Sequence, residues 1–337
     1  MKCLSEKCVY KIHSNIKNNG GKHCCNICKN NSSNNPSNNP SNPKNHSGAC
    51  EKIVYKSNPI KITPMKITPV NITPTIIPPK NLKRALLVGI NYINDPRNTL
   101  YGCINDVKNI QAKLKTASPE CKEYRILTDD LNDPLLKPTR KNIIDGINWL
   151  VKDLKSNESI FFHYSGHGGL TLDLSNDEKS GFDSCIYPIN NTKIETITDD
   201  ELRELLVNKI PRGGKGFVVL DCCHSGSALD LRYMISAPEY GKLNINQDDK
   251  YPSTNGSVIF LSGCNDNQTA ADTVDSKNIP TGALSNALLE VWNQYGMNIK
   301  FKYLLWDVRA VLKRNGYSQI PQMSCSSNIN ISDEFRL

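Results

Sequence analysis

Two short stretches of the sequence carry residue types that can break a covalent bond. The first, His163-Tyr164-Ser165-Gly166-His167-Gly168-Gly169, sets an imidazole among small residues at the end of an apolar run. The second, Asp221-Cys222-Cys223-His224-Ser225-Gly226, sets adjacent thiols at the end of another apolar run about 50 residues on. A free thiol titrates near ~8.5, so it needs a base or cation beside it to react as thiolate near neutral pH. An imidazole can be that base. The chain beyond residue 80 holds three histidines. His163 lies inside its run and is expected to pack as a hydrogen-bonded core histidine. His224 adjoins the cysteines, but neighbouring side chains in extended chain point apart, which favours a structural role. His167, flanked by glycine, is free to face a substrate. The N–H of Gly168 can approach a carbonyl oxygen because no Cβ intervenes, and with the N–H of the nucleophilic cysteine it would make a two-donor oxyanion hole.

These stretches can meet only if two strands end at one edge of a sheet. From residue 83 onward the sequence alternates apolar runs with helical periods. Arg84 to Asn91, Tyr124 to Thr128, Ser159 to Tyr164, Gly216 to Asp221 and Ser257 to Ser262 read as strands, and a last strand is expected around Met323. Helices are expected from Asp106 to Leu114, from Thr139 to Leu154, from Thr198 to Asn208, from Ala283 to Tyr295 and from Lys302 to Lys313. Apolar strands separated by helices predict an α/β sandwich, a mostly parallel central sheet of about six strands with helices on both faces. In such a sheet ligands bind beyond the carboxyl ends of the strands, where both reactive stretches lie. Arg212-Gly213-Gly214-Lys215-Gly216 superficially suggests a phosphate loop, but it precedes a strand and no Ser or Thr follows Lys215, so it reads as a turn.

The chain has 337 residues and a formal net charge of +8. The charge is uneven. Residues 1–80 hold 12 Lys, no Arg and two acids, Glu6 and Glu51, while the rest is slightly acidic. A nucleic-acid function read from the overall charge is therefore weakened, and the leader has only Tyr10 and Tyr55 for stacking. The leader also holds 14 Asn and 9 Pro, a composition that predicts disorder, with a five-residue repeat at Lys61, Lys66 and Asn71 that reads as an extended spacer. Its first 30 residues carry Cys3, Cys8, Cys24, Cys25 and Cys28. Cys25-x-x-Cys28 has metal-knuckle spacing, and Cys3 and Cys8 could complete a Zn²⁺ site; a solvated thiol-bearing tail is the other reading. Two regions follow: residues 1–80 as leader, and 81–337 as the folded domain. No apolar run approaches the ~18–20 residues of a membrane span, and the start lacks the apolar stretch of a signal peptide. Thirteen cysteines, an odd number, cannot all pair within the chain. A reduced, cytoplasmic monomer is the expectation.

The two reactive stretches resemble those of type I metacaspases, in the caspase-like cysteine peptidase clan. Asn98 to Val107, Ser180 to Pro188, Ile197 to Leu202 and Ser262 to Asp272 resemble further metacaspase segments in the expected order, over roughly residues 83–325. The resemblance implies a caspase-like fold and an endopeptidase with Cys223 as nucleophile and His167 as its partner. Cys222, by alternation, is expected to pack inward. It also implies a pocket for Arg or Lys, and not Asp, before the scissile bond, with Asp106 and Asp221 holding the cation and Ser165 and Cys103 lining the pocket. A carboxylate pair suits one guanidinium, which it can grip bidentately. Helix capping is the plainer role for Asp106. Asp183, Asp199, Asp200 and Asp230 match acidic metal positions of the family, which implies activation by Ca²⁺, an ion that favours hard carboxylate oxygens. Taken alone, Asp199 and Asp200 fit equally well as favourable charges at a helix N-terminus. Self-cleavage is expected at exposed lysines, with Lys242 and Lys250 as candidates. The competing function is a non-cleaving scaffold of the same fold whose basic leader binds partners or metal.

Overall fold

The computed structural model describes residues 82–121, 123–174, 181–189, 195–223, 225, 228–237, 242–263, 272–274 and 278–327. The leader with its proposed zinc ligands lies outside the described residues, and so does His224. The first half of the domain runs β1 (Leu82–Gly89), α1 (Cys103–Ala117), β2 (Glu123–Thr128), α2 (Arg140–Val151), β3 (Ser159–Ser165), β4 (Gly168–Leu172), β5 (Phe182–Ile186), β6 (Ile197–Thr198) and α3 (Asp199–Leu205). The second runs β7 (Lys215–Asp221), β8 (Tyr233–Ser236), β9 (Asn244–Gln247), β10 (Ser257–Ser262), β11 (Asp272–Val274), β12 (Pro280–Gly282), α4 (Ala283–Tyr295), α5 (Phe301–Arg314) and β13 (Gln322–Cys325).

The main sheet has the order β2-β1-β3-β7-β10-β13-β8-β9. The pairs from β2 across to β10 are parallel, and those from β10 to β9 antiparallel. The six expected strands form a contiguous block within it. The sheet is nonetheless eight strands wide, because β8 and β9 extend one edge. Both are short, and every residue of β9 is exposed, so neither shows the apolar run that marks the buried strands. The expected helix from Thr198 to Asn208 is also shorter: α3 ends at Leu205 and a 3₁₀ turn, Val207–Lys209, follows. Thr198 caps α3 through a reciprocal box with Glu201, each side chain meeting the other's backbone N–H. Residues 211–214 form the expected turn, closed by a 2.8 Å bond from the Gly214 N–H to the Pro211 carbonyl.

Strand alternation assigns the two faces of the sheet. Leu87, Phe161, Phe217, Val219 and Leu261 pack on one side with α1, α4 and α5. Leu86, Val88, Phe162, Tyr164, Val218 and Leu220 pack on the other with α2 and α3. Because both faces are covered, these strands are apolar at nearly every position, which is why they read as continuous runs. Trp292 of α4 is fully buried against Phe161 and Phe217, with ring centroids 6.3 and 6.4 Å away. This cluster fixes the C-terminal turn of α4 on the sheet, and its N-terminus is held by bonds to Asp106 and Asp221.

Candidate active site

Strand register brings the two reactive stretches together. β3 and β7 are adjacent and parallel, with Ser165 opposite Asp221. His167 and Cys223 each follow that pair by two residues. The ladder continues into the loop through a bond from the Gly166 N–H to the Asp221 carbonyl. A Cβ on Gly168 would stand 2.4 Å from the Cys223 carbonyl oxygen and 2.9 Å from Cys222 Sγ. The histidine loop therefore lies directly on the cysteine peptide, and only glycine fits at the contact. Cys223 is half-buried, whereas Cys222 is turned into the core, as alternation predicts.

His167 Nε2 lies 2.7 Å from the carbonyl oxygen of Asn98. A carbonyl only accepts, so Nε2 carries the proton and Nδ1 is assigned the free lone pair of the neutral ring. Asn98 belongs to a turn between β1 and α1 organised by Asp95. The Asp95 carboxylate accepts from Asn98 Nδ2 at 2.7 Å, and that bond chiefly holds its pKa below the usual carboxylate value. Beyond His167 the Tyr187 N–H donates to the His167 carbonyl, at 3.2 Å. The next pair of the ladder, Gly168 with Ile186, is then a non-hydrogen-bonded one, which turns the Gly168 N–H away from β5.

Next to this edge two buried carboxylates meet at the start of α4. Asp106 Oδ1 and Oδ2 accept from the Gly282 N–H at 3.0 and 2.9 Å, and Ser165 Oγ donates to Asp106 Oδ2 at 2.7 Å. Asp221 Oδ2 accepts from the Ser285 N–H at 2.7 Å. A Cβ on Gly282 would lie 2.3 Å from Asp221 Oδ2 and 2.8 Å from Asp106 Oδ2. Asp106, Asp221, Ser165 and Cys103 are all buried. Asp106 does not cap its own helix, whose N-cap is Gly102; it turns instead to the N-terminus of α4. That terminus lacks a side-chain cap of its own, so the two carboxylates supply the negative charge it favours. His163, fully buried, bonds Ser285 Oγ at 2.9 Å, and burial pushes its pKa down to about 3. It is the neutral core histidine expected of its position.

A second acidic group lies around β5 and α3. Asp183, Asp199 and Asp230 are buried, and Asp200 is half-buried. Asp199 accepts from the N–H groups of Ser184 at 2.8 Å and Asp200 at 3.0 Å. Even so, burial and then the charges of Asp230 and Asp183 push its pKa up to about 8. The donor set is all hard oxygen, which suits Ca²⁺. Among the described residues no three His, Cys, Asp or Glu side chains are gathered into a ready-made ligand cage. No helix of the described residues is long and apolar enough to cross a membrane.

Asn98, Gly282 and Ser285 were not singled out by the sequence. The first acts through its carbonyl and the other two offer N–H groups to the carboxylates, so no reactive side chain marks them in the sequence, although only glycine fits at 282 and the Ser285 hydroxyl bonds His163.

Comparison with known proteins accords with this geometry. Residues 83–232 match the family model described as metacaspase, peptidase C14 domain. The chain is 37% identical over 295 residues to Metacaspase-1 of Schizosaccharomyces pombe, covering 74% of this chain and 68% of the relative. It is 37% identical over 297 residues to Metacaspase-1 of Scheffersomyces stipitis, covering 75% and 73%. Among solved structures, a protein of Geobacter sulfurreducens superposes with a TM-score of 0.53 at 22% identity, covering 76% of this chain and 97% of that one.

Proposed function

The chain belongs to the metacaspase family, a cysteine peptidase of caspase-like fold acting on proteins, and we propose that it is an endopeptidase cutting after Arg or Lys under the control of Ca²⁺. The observation that carries the specificity is the buried Asp106–Asp221 pair beside the His167–Cys223 edge.

In this reading Nδ1 of His167 takes the thiol proton of Cys223, and the thiolate attacks the scissile carbonyl carbon. The Gly168 and Cys223 N–H groups receive the oxyanion, a contribution of about 10²–10³-fold in rate per donor. His167 then returns the proton to the leaving amine, which departs as the thioester forms. Water, deprotonated by the same imidazole, releases the new carboxylate and restores the thiol. Asp106 and Asp221 pair with the guanidinium or ammonium of the residue before the scissile bond, while Ser165 and the Gly282 N–H hold Asp106 in place. An Asp at that position of the substrate would face two buried like charges.

Asp183, Asp199, Asp200 and Asp230 would hold Ca²⁺, whose charge would offset the mutual repulsion that helps to raise the Asp199 pKa. Lys242 and Lys250 flank β9 in exposed chain and are the proposed self-cleavage sites.

Reporter peptides with Arg, Lys or Asp before the scissile bond, assayed with Ca²⁺ or with chelator, test the reading. Cleavage of the Arg and Lys peptides only, requiring both Ca²⁺ and Cys223, is expected. Cleavage after Asp overturns the specificity. Arg cleavage indifferent to Cys223→Ala and to chelation overturns the mechanism.

A further inference from the structure

We propose that Tyr92, in the loop after β1, positions His167 and stabilises its imidazolium form during proton transfer, an inference that rests on His167 being the base. The Tyr92 ring lies beneath the imidazole, with centroids 4.6 Å apart and planes inclined by 37°. Its hydroxyl accepts from the His167 N–H at 3.0 Å and donates to the Tyr187 carbonyl at 2.6 Å. The Tyr164 hydroxyl, 3.2 Å from that of Tyr92, donates to the His167 carbonyl at 2.7 Å. One tyrosine thus holds the backbone N–H of His167 and the other its carbonyl. The side chain is fixed independently, by the Tyr92 face on one side and the Asn98 carbonyl at Nε2.

Tyr92 and Asn98 sit in the same loop, so one segment grips the histidine twice. The loop is anchored from beyond β2: Asp129, buried, accepts from the N–H groups of Asn91 and Ile93, both at 2.9 Å. Between those two anchored residues Tyr92 adopts φ 53°, a left-handed conformation that bulky residues rarely take. Conformational strain of this kind persists where the surroundings over-determine it, and it clusters at functional sites. The strained backbone is what turns the phenol back under the imidazole.

The ring contact has an electrostatic consequence. A neutral imidazole gains little from a π face, but an imidazolium within about 6 Å of a ring centroid is attracted to it. The attraction therefore grows as His167 takes the proton from Cys223. Among the described residues, the other titratable and charged groups around His167 and Tyr92 are Asp95 and Arg97 on the same loop, Cys103 on α1, Tyr164 on β3, Tyr187 after β5, and Cys222 and Cys223 after β7. Burial raises the phenol pKa of Tyr92 and of Tyr164 far above their ordinary value, so both stay neutral hydrogen donors at any working pH.

The test compares the intact chain with Tyr92→Phe, Tyr92→Leu and His167→Ala, on a reporter peptide that the intact protein cleaves. The readouts are kcat and KM per titrated active site, the pH profile, and the His167 titration by NMR in a Cys223→Ala background. Tyr92→Phe keeps the ring and loses the hydroxyl; kcat should fall about tenfold with KM within about twofold, and the imidazole pKa should hold. Tyr92→Leu removes both; kcat should fall about a hundredfold, and the imidazole pKa should drop by about half a unit. A merely structural tyrosine would lower the melting temperature and the active fraction without moving that titration. Wild-type kcat in Tyr92→Phe, or an unmoved titration in Tyr92→Leu, overturns the inference. Should Tyr92→Leu fail to fold, kcat of Tyr92→Phe decides alone. Full turnover in His167→Ala would instead remove the base itself, a failure of the underlying reading that the tyrosine variants do not mimic.

Discussion

Two buried acidic groups stand near one edge of the same sheet and solve the same electrostatic problem differently. Asp106 and Asp221 are fed by fixed donors, the Gly282 and Ser285 N–H groups at a helix start and the Ser165 hydroxyl. Asp183, Asp199 and Asp230 crowd one another, and burial, then the charges of Asp230 and Asp183, let Asp199 keep its proton up to about pH 8. A buried carboxylate is tolerated when hydrogen bonds or an opposite charge offset its desolvation. The first pair is held by fixed donors, and in the proposed reading it pairs with one organic cation. In the second the carboxylates repel one another although the buried Arg203 guanidinium bonds the Asp230 carbonyl, and in the proposed reading a divalent cation would offset that repulsion. In the proposed reading the first group would select the residue before the scissile bond, and the second would respond to Ca²⁺.

The sharpest way to break the first group is Gly282→Ala. The added Cβ would overlap Asp221 Oδ2 and press on Asp106 Oδ2, so both carboxylates must move. Disrupting a buried charge site of this kind costs about 3–5 kcal/mol, which, if all of it fell on the transition state for an Arg peptide, would be about two to four orders of magnitude in kcat/KM. Calcium-dependent stabilisation should remain, because Gly282 touches the other pair only. Equal loss of both responses in steady-state assays and thermal melts would mean that the two groups are not separate.

The sequence made the first group partly legible and the second only through resemblance. Asp221 could be placed at a strand end because apolar runs buried on both faces announce parallel strands, and Asp106 at the start of the helix that follows the first of them. Their partners could not, since Gly282 and Ser285 act through N–H groups in a helix whose start gives no cap signal. The reactive residues stood out because Cys and His are unusual at strand ends. The residues that hold His167 did not: Asn98 works through its carbonyl, and Tyr92 is one aromatic in a loop whose strained backbone no periodicity reveals. The expected six strands were found and two more were not, because β8 and β9 lack a two-sided apolar face. The small β4–β5–β6 sheet, which carries Asp183 opposite Thr171, was missed for the same reason.

The second group should show itself in the pH dependence of stability. Asp199 titrates near 8 when folded and near 3.8 in an ordinary environment. Between those values the folded state binds a proton that the unfolded state has released, so the contribution of Asp199 to stability falls as pH rises from about 4 to about 8 and levels off above. Thermal melts of the metal-free protein should show that slope, and Asp199→Asn should flatten it. Saturating Ca²⁺ should remove much of it by occupying the carboxylates, and the ion should bind more tightly as pH approaches 8, where it no longer displaces a proton. A pH slope of the metal-free melting temperature that Asp199→Asn leaves unchanged would contradict the crowding.

Asp200 separates the two roles that remain open for the segment opening α3. It sits in the first turn of a helix already capped by Thr198 and Glu201, it is half-buried, and its own N–H donates to Asp199 Oδ1. The charges that raise Asp199 come from Asp230 and Asp183. As a helix-terminal charge Asp200 is worth about 0.3–1 kcal/mol, or about 1–4 °C in melting temperature for a domain of this size. Asp200→Asn should therefore lower the metal-free melting temperature by that amount and cost the smallest share of the calcium-induced shift of the four aspartates. Asp183→Asn, by contrast, should relieve the crowding, raise the metal-free melting temperature at pH 7, and abolish most of the calcium shift. The opposite signs of the two metal-free effects would distinguish a carboxylate that crowds the site from one that mainly serves the helix.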